Sequence, residues 1–212
     1  MKFSALLKLV GDDPIFASSL LLSGDVNPRL IRIQLSRWVK AGKICRIRRG
    51  LYAIAPPFQK QLPHPFRVAN FLQKASYVSL QSTLSFYGLI PEVMNITTSV
   101  STNRPERLET ALGTFEFRHI KRELLFGYQM IDLGGQSAFV ADPEKALLDL
   151  VYFQPGGDLW TYLKELRLQN LEKLDPEYLT QLSKKYNTRK MQNAANLLLQ
   201  LISRDSEEFE DL

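Results

Sequence analysis

Arg29, Arg32, Arg37 and Lys40, followed by Arg46, Arg48 and Arg49, put a dense run of positive charge into one short segment of the chain. A guanidinium stays ionised at neutral pH and presents a planar fork of donors, so it grips phosphate oxygens or the O6/N7 edge of guanine bidentately. Ser36 adds a hydroxyl to the same segment, and Ile33 adds an aliphatic group able to touch a thymine methyl. The chemistry these residue types point to is non-covalent recognition of a polyanion. A second and smaller cluster, Arg118, His119, Lys121 and Arg122, has the makings of a phosphate- or protein-binding patch. The plainer reading of His119 is a polar residue near a sheet edge.

Covalent or metal chemistry finds little support. The sequence contains no GxxxxGKS/T, GxGxxG or HExxH pattern. One cysteine, Cys45, and two histidines, His64 and His119, are too few for a Cys/His metal cluster. No catalytic residue, metal or cofactor is predicted. His64 lies in a proline-rich stretch with no evident task.

Charge distribution sharpens the reading. Residues 1–63 carry 11 Lys/Arg against 3 Asp/Glu, whereas residues 64–212 carry 16 against 19. The balance is +8 in the first part and −3 in the second, within a net charge of +5. Such asymmetry points to an acidic partner for the basic part. An anionic membrane fits less well, because the cations sit on short capped elements instead of one long amphipathic helix. RNA fits less well too, since no aromatic stacking platform is evident. Double-stranded DNA is the partner expected; a merely solvated basic face, or a winged helix that binds protein, is the alternative to it. A lone cysteine suits the reducing cytoplasm, and the N-terminus MKFSALLKLVGDDP lacks the unbroken apolar run of a secretory signal.

The elements that must position the cations follow from periodicity and punctuation. Helices are predicted from Phe3 to Val10, from Ile15 to about Leu22 with SGD as its stop, and from Asn27, a good N-cap before Pro28, to Gly42. On a wheel of the third helix, Ile31, Gln34, Leu35, Trp38 and Val39 fall on one side. Arg29, Arg32, Ile33, Ser36, Arg37 and Lys40 fall on the other. KICRI, RRG and LYAIA then read as strand, turn and strand, with Trp38 and Tyr52 assigned to the core. This order is that of a winged helix-turn-helix, with the arginines of the hairpin beside the recognition helix.

APPFQKQLPHP, with four prolines, reads as a stiff linker. Beyond it, helices are predicted at 65–74, 79–87, 142–153, 159–167 and 177–202, and strands at 96–101, 114–120, 128–133 and 137–141. The last two strands meet at Gly134–Gly135. DPEKALLDLVYF is a capped helix whose Ala146, Leu147, Leu150 and Val151 form a core stripe. The expected fold class is α+β: a winged helix-turn-helix over 1–55, a linker over 56–65, and a larger mixed α/β domain over 66–202. That larger domain is given a small, mostly antiparallel sheet and C-terminal helices, and an acidic tail occupies 203–212.

Four blocks in serial order, LSRWVKAGKICRIRRGLYAI, SLQSTLSFYGLIPE, FRHIKRELLFGY and DPEKALLDLVYF, resemble AbiEi-type antitoxins of type IV toxin–antitoxin systems over roughly residues 1–153. The resemblance implies an N-terminal winged helix joined to a larger antitoxin domain. It implies autorepression through inverted repeats in the protein's own promoter. It further implies restraint of a nucleotidyltransferase-like toxin, without a stable complex, in abortive-infection defence against phage. On this chain the promoter-reading role falls on Arg29, Arg32, Ser36, Arg37, Lys40 and the hairpin arginines, with a monomer or weak dimer as the unit. Direct toxin binding, or covalent modification of the toxin by phosphotransfer, are the alternatives.

Overall fold

The computed structural model describes residues 1–23 and 26–210. Helix α1 (Phe3–Val10) leads into strand β1 (Ile15–Ala17) and a 3-10 turn over Ser18–Leu22. Helix α2 (Pro28–Lys40) and the hairpin β2 (Ile44–Arg48) and β3 (Leu51–Ile54) follow. The helix expected from Ile15 to Leu22 is therefore a strand and a tight turn. Its expected stop at Gly24 and Asp25 lies outside the described residues. A helical start cannot send neighbouring side chains to opposite sides, and a strand can. Ile15 enters one apolar cluster and Phe16 another.

The same alternation runs through the whole three-stranded antiparallel sheet, ordered β1-β3-β2. Ile44, Tyr52 and Ile54 pack with Leu6, Leu21, Ile31, Leu35 and Trp38 beneath α1 and α2. Cys45, Ile47, Leu51 and Ala53 pack on the opposite face with Phe66, Val68, Phe115, Phe117 and Val140. The small sheet is thus apolar on both sides. One side carries α2 and the other is cemented to the rest of the chain.

That remainder is built on a six-stranded sheet, ordered β6-β7-β5-β4-β9-β8. Its strands are β4 (Ser76–Val78), β5 (Ile96–Ser101), β6 (Glu106–Thr110), β7 (Gly113–His119), β8 (Tyr128–Asp132) and β9 (Ser137–Ala141). The pairs β5–β7 and β4–β9 are parallel and the other three antiparallel, so the sheet is larger and more mixed than the small, mostly antiparallel one expected. The two strands the sequence conceals, β4 and β6, account for the difference. The first is only three residues long, and the second, ERLET, is a polar edge. The Gly134–Gly135 turn joins β8 to β9 as expected, both glycines having positive φ.

Helix α3 (Pro65–Leu72) lies between the two sheets, and its Phe66, Val68, Ala69 and Leu72 join the shared cluster. Helices α4 (Leu80–Phe86), α5 (Pro143–Phe153), α6 (Trp160–Glu165), α7 (Pro176–Lys185) and α8 (Arg189–Glu210) supply the core on the other face. The single C-terminal helix expected over 177–202 is broken between α7 and α8, where Asn187 takes a φ of 50°. The backbone of the expected acidic tail continues α8 as far as Glu210, and residues 211–212 lie outside the described ones. None of the described helices is long and apolar enough to cross a membrane.

The proline-rich stretch is anchored at both ends. Asp12 accepts a hydrogen bond from Lys60, and its carbonyl accepts one from Gln61. Gln136 donates to the Leu62 carbonyl and accepts from the His64 N–H. His64 itself caps α3, its Nδ1 accepting from the Phe66 N–H at 3.2 Å. Burial lowers its pKa, in keeping with a neutral ring that accepts. Arg67 on α3 closes the junction: its guanidinium grips Asp13 with two hydrogen bonds and donates a third, at 2.9 Å, to the Ser137 carbonyl. Because both charged partners are partly shielded, Arg67→Met should cost about 1.5–3 kcal/mol of unfolding free energy, read from urea denaturation.

Candidate nucleic-acid interface

Helix α2 is set by its two ends. Asn27 Oδ1 accepts from the Arg29 N–H at 2.9 Å, Pro28 occupies the first turn, and Gly42 ends the run with a φ of 65°. Burial of Ile31, Leu35 and Trp38 fixes the rotation of the helix. Arg29, Arg32, Ile33, Ser36, Arg37 and Lys40 are consequently all exposed, as the wheel requires. Arg46, Arg48 and Arg49 are exposed on the hairpin.

The helix and hairpin enclose a cleft of about 600 Å³, and it gathers Arg32 and Ser36 from α2 with Arg46 and Arg49 from the hairpin. Tyr52 and Ser18 also line it, beside apolar residues of α2. Tyr52, assigned wholly to the core from sequence, is half-buried: it stacks on Phe16 with ring centroids 5.7 Å apart and also faces the cleft. Ser18 carried no sequence signal; the bond from its N–H to the Gly50 carbonyl, 2.7 Å, brings it there. Ile33 and Arg37 line a different cleft on the far flank of α2, with Leu9, Leu20, Val26 and Leu30. Arg29 and Lys40 sit on the open crest between the two. The proposed reading face is therefore a convex ridge with a groove on its hairpin side.

Its electrostatics follow from where the nearby carboxylates are held. Asp12 is paired with Lys60 and Asp13 with Arg67, both at the junction with the second sheet. No arginine or lysine of the helix–hairpin face has an ion-pair partner among the described residues. Among the described residues no ion pair offsets these cations, and a cleft with low-dielectric walls concentrates their field.

The second cluster does not form a single patch. Successive strand residues point to opposite faces. Arg118 is drawn to Glu116, Nε to Oε1 2.8 Å, whereas His119 Nδ1 bonds the Asn103 carbonyl at 3.0 Å. Lys121 and Arg122 follow at the start of a short 3-10 turn, exposed. Proximity in sequence had suggested one surface; the strand divides Arg118 from His119.

The densest titratable cluster was missed altogether. Lys145 and Asp149, one turn apart on α5, are both fully buried and ion-paired. Asp149 also accepts from Tyr77, Ser79 and Tyr186 hydroxyls at 2.7–2.9 Å, and Lys145 lies over the rings of Phe126 and Tyr186. Burial lowers the Lys145 pKa against the pull of Asp149, and burial beside that carboxylate raises those of Tyr77 and Tyr186. Every polar atom of the cluster is engaged within the core, which makes it a fastener joining β4, α5 and the start of the α7–α8 break. Among the described residues, no group of three or more His, Cys, Asp or Glu side chains is placed to hold a metal ion.

No protein-family model matches the chain, and no curated protein matches it. Lys145→Met would strand a buried carboxylate, so we expect a loss of about 3–5 kcal/mol in unfolding free energy by urea denaturation.

Proposed function

We propose that this protein is a duplex-DNA-binding transcriptional regulator whose N-terminal segment works as a winged helix. In this reading α2 enters the major groove, the β2–β3 hairpin is the wing, and the Asn27–Lys40 ridge meets base edges. The carrying observation is the array of exposed cations on α2 and the hairpin, none ion-paired among the described residues, three of which, Arg32, Arg46 and Arg49, share one cleft with Ser36. An α-helix fits the width of the major groove of B-DNA, and a basic hairpin beside it reaches the flanking backbone or minor groove. The antiparallel sheet ordered β1-β3-β2 under α1 and α2 suits that architecture. A 3-10 turn takes the place of a regular second helix.

The resemblance of the four sequence blocks to AbiEi-type antitoxins extends the proposal. The regulated promoter is the protein's own, read at inverted repeats as a monomer or weak dimer. The second domain restrains a nucleotidyltransferase-like toxin in antiviral defence, in the cytoplasm. A toxin-like neighbouring reading frame would support that extension; an unrelated neighbour leaves a DNA-binding regulator alone.

Division of labour within the ridge gives the test. Arg46→Ala with Arg49→Ala should weaken binding to all duplexes alike, because wing contacts go to phosphates. Arg32→Ala should cost about 1–3 kcal/mol on the preferred sequence and flatten base preference at one position. Fluorescence anisotropy, after selection from a randomised duplex library, reads both effects. Equal affinity of wild type and all variants for every duplex would remove the proposal.

A further inference from the structure

Arg46 and Arg48 are two residues apart on β2, and in a regular strand they would face the same side. They do not. The pairing of β2 with β3 slips between them, Arg46 opposing Tyr52 and Arg48 opposing Leu51. A bulge of this kind re-aims the side chain that follows it. Arg46 lines the cleft shared with α2, while Arg48 lines a separate cleft of about 640 Å³ on the other side of the hairpin.

The remaining wall of that second cleft comes from the larger domain: Gln73 and Lys74 after α3, and Asn103, Arg104 and Glu106 around the β5–β6 loop. Arg48, Lys74 and Arg104 are exposed and have no ion-pair partner among the described residues. The one carboxylate present, Glu106, accepts from Gln73 Nε2 at 3.2 Å. The loop is built, not loose. Ser101 Oγ donates to Gln73 Oε1 at 2.6 Å and accepts from the Asn103 N–H at 3.1 Å. Asn103 Nδ2 donates to the Lys74 carbonyl at 3.2 Å, and its own carbonyl takes the His119 ring. Three cations from two parts of the chain therefore converge on one fixed cradle.

We propose that this cradle is a second phosphodiester-binding site, through which the larger domain holds the backbone of the same duplex beyond the hairpin. It rests on the duplex reading of the helix–hairpin face. The hairpin between the two clefts is one sheet layer, roughly 10 Å thick, so a backbone leaving the first cleft is within reach of the second. Contacts of this kind add affinity and salt dependence without adding sequence information.

Lys74→Gln with Arg104→Gln tests it in the full chain, leaving the α2 ridge and the hairpin untouched. The probe is a random-sequence duplex of about 30 bp, roughly three helical turns, titrated by anisotropy across a salt series. Each lost phosphate contact removes about 0.9 from the slope of log K against log salt, so the double variant should be shallower by about 2. Its base preference should stay that of wild type. Lys184→Gln with Arg189→Gln removes the same charge elsewhere and should leave the slope unchanged. A Lys74/Arg104 variant with the wild-type slope overturns the second site while the first stands, as does an equal effect from the Lys184/Arg189 pair. A flat slope in the wild type fells both.

Discussion

The pairing of Asp13 with Arg67 ties the helix–hairpin segment to the rest of the chain. Residues 1–63 contain only 3 carboxylates, and the two described ones are held at the junction by Lys60 and Arg67. Neither is free to neutralise the helix–hairpin face. The Arg67–Asp13 pair thus does two things at once: it locks the small sheet against the larger one, and it keeps a counter-charge away from the cations of α2. Exposed charge alone would be ordinary, since most surface cations are simply solvated. A one-signed array among the described residues, fixed on a helix whose rotation is set by three buried side chains, is what the proposed duplex-binding role requires.

Rigidity matters to that argument. A reading face mounted on a flexible module pays for its ordering when it binds. Here the small sheet is apolar on both faces, so α2 is packed on one side and the shared cluster of Phe66, Phe115, Phe117 and Val140 holds the other. Further away, the Lys145–Asp149 fastener ties β4 to α5 and to Tyr186 before α8. The six-stranded sheet and its helices are therefore a firm platform for whatever their loops present.

Much of the exposed cationic face was legible in the sequence because an amphipathic helix advertises itself. Asn27–Pro28 marks its start, Gly42 its end, and the apolar spacing of Ile31, Leu35 and Trp38 fixes which side looks out. Most strands and helices after residue 65 were legible from their own periodicity and turn residues. What the sequence hid has physical causes. Ile15 and Phe16 precede an apolar run that fits a helix, and only their division between two cores makes β1 a strand. β4 is too short for any period to show. The pair Lys145 and Asp149 has the spacing of a solvent-exposed helical ion pair, so nothing in its pattern betrays complete burial. The direction of Arg48 depends on a one-residue slip in register, and the separation of Arg118 from His119 on strand alternation. Tertiary pairing decides both.

The account stands or falls on whether the face binds a polyanion by releasing its counterions. The most direct measurement is the affinity of the wild-type protein for its preferred duplex across a salt series. If about six cations meet phosphates, log K should fall against log salt with a slope near −5. A response close to flat would contradict the account, because no surface that engages phosphates through these arginines and lysines can bind without shedding ions.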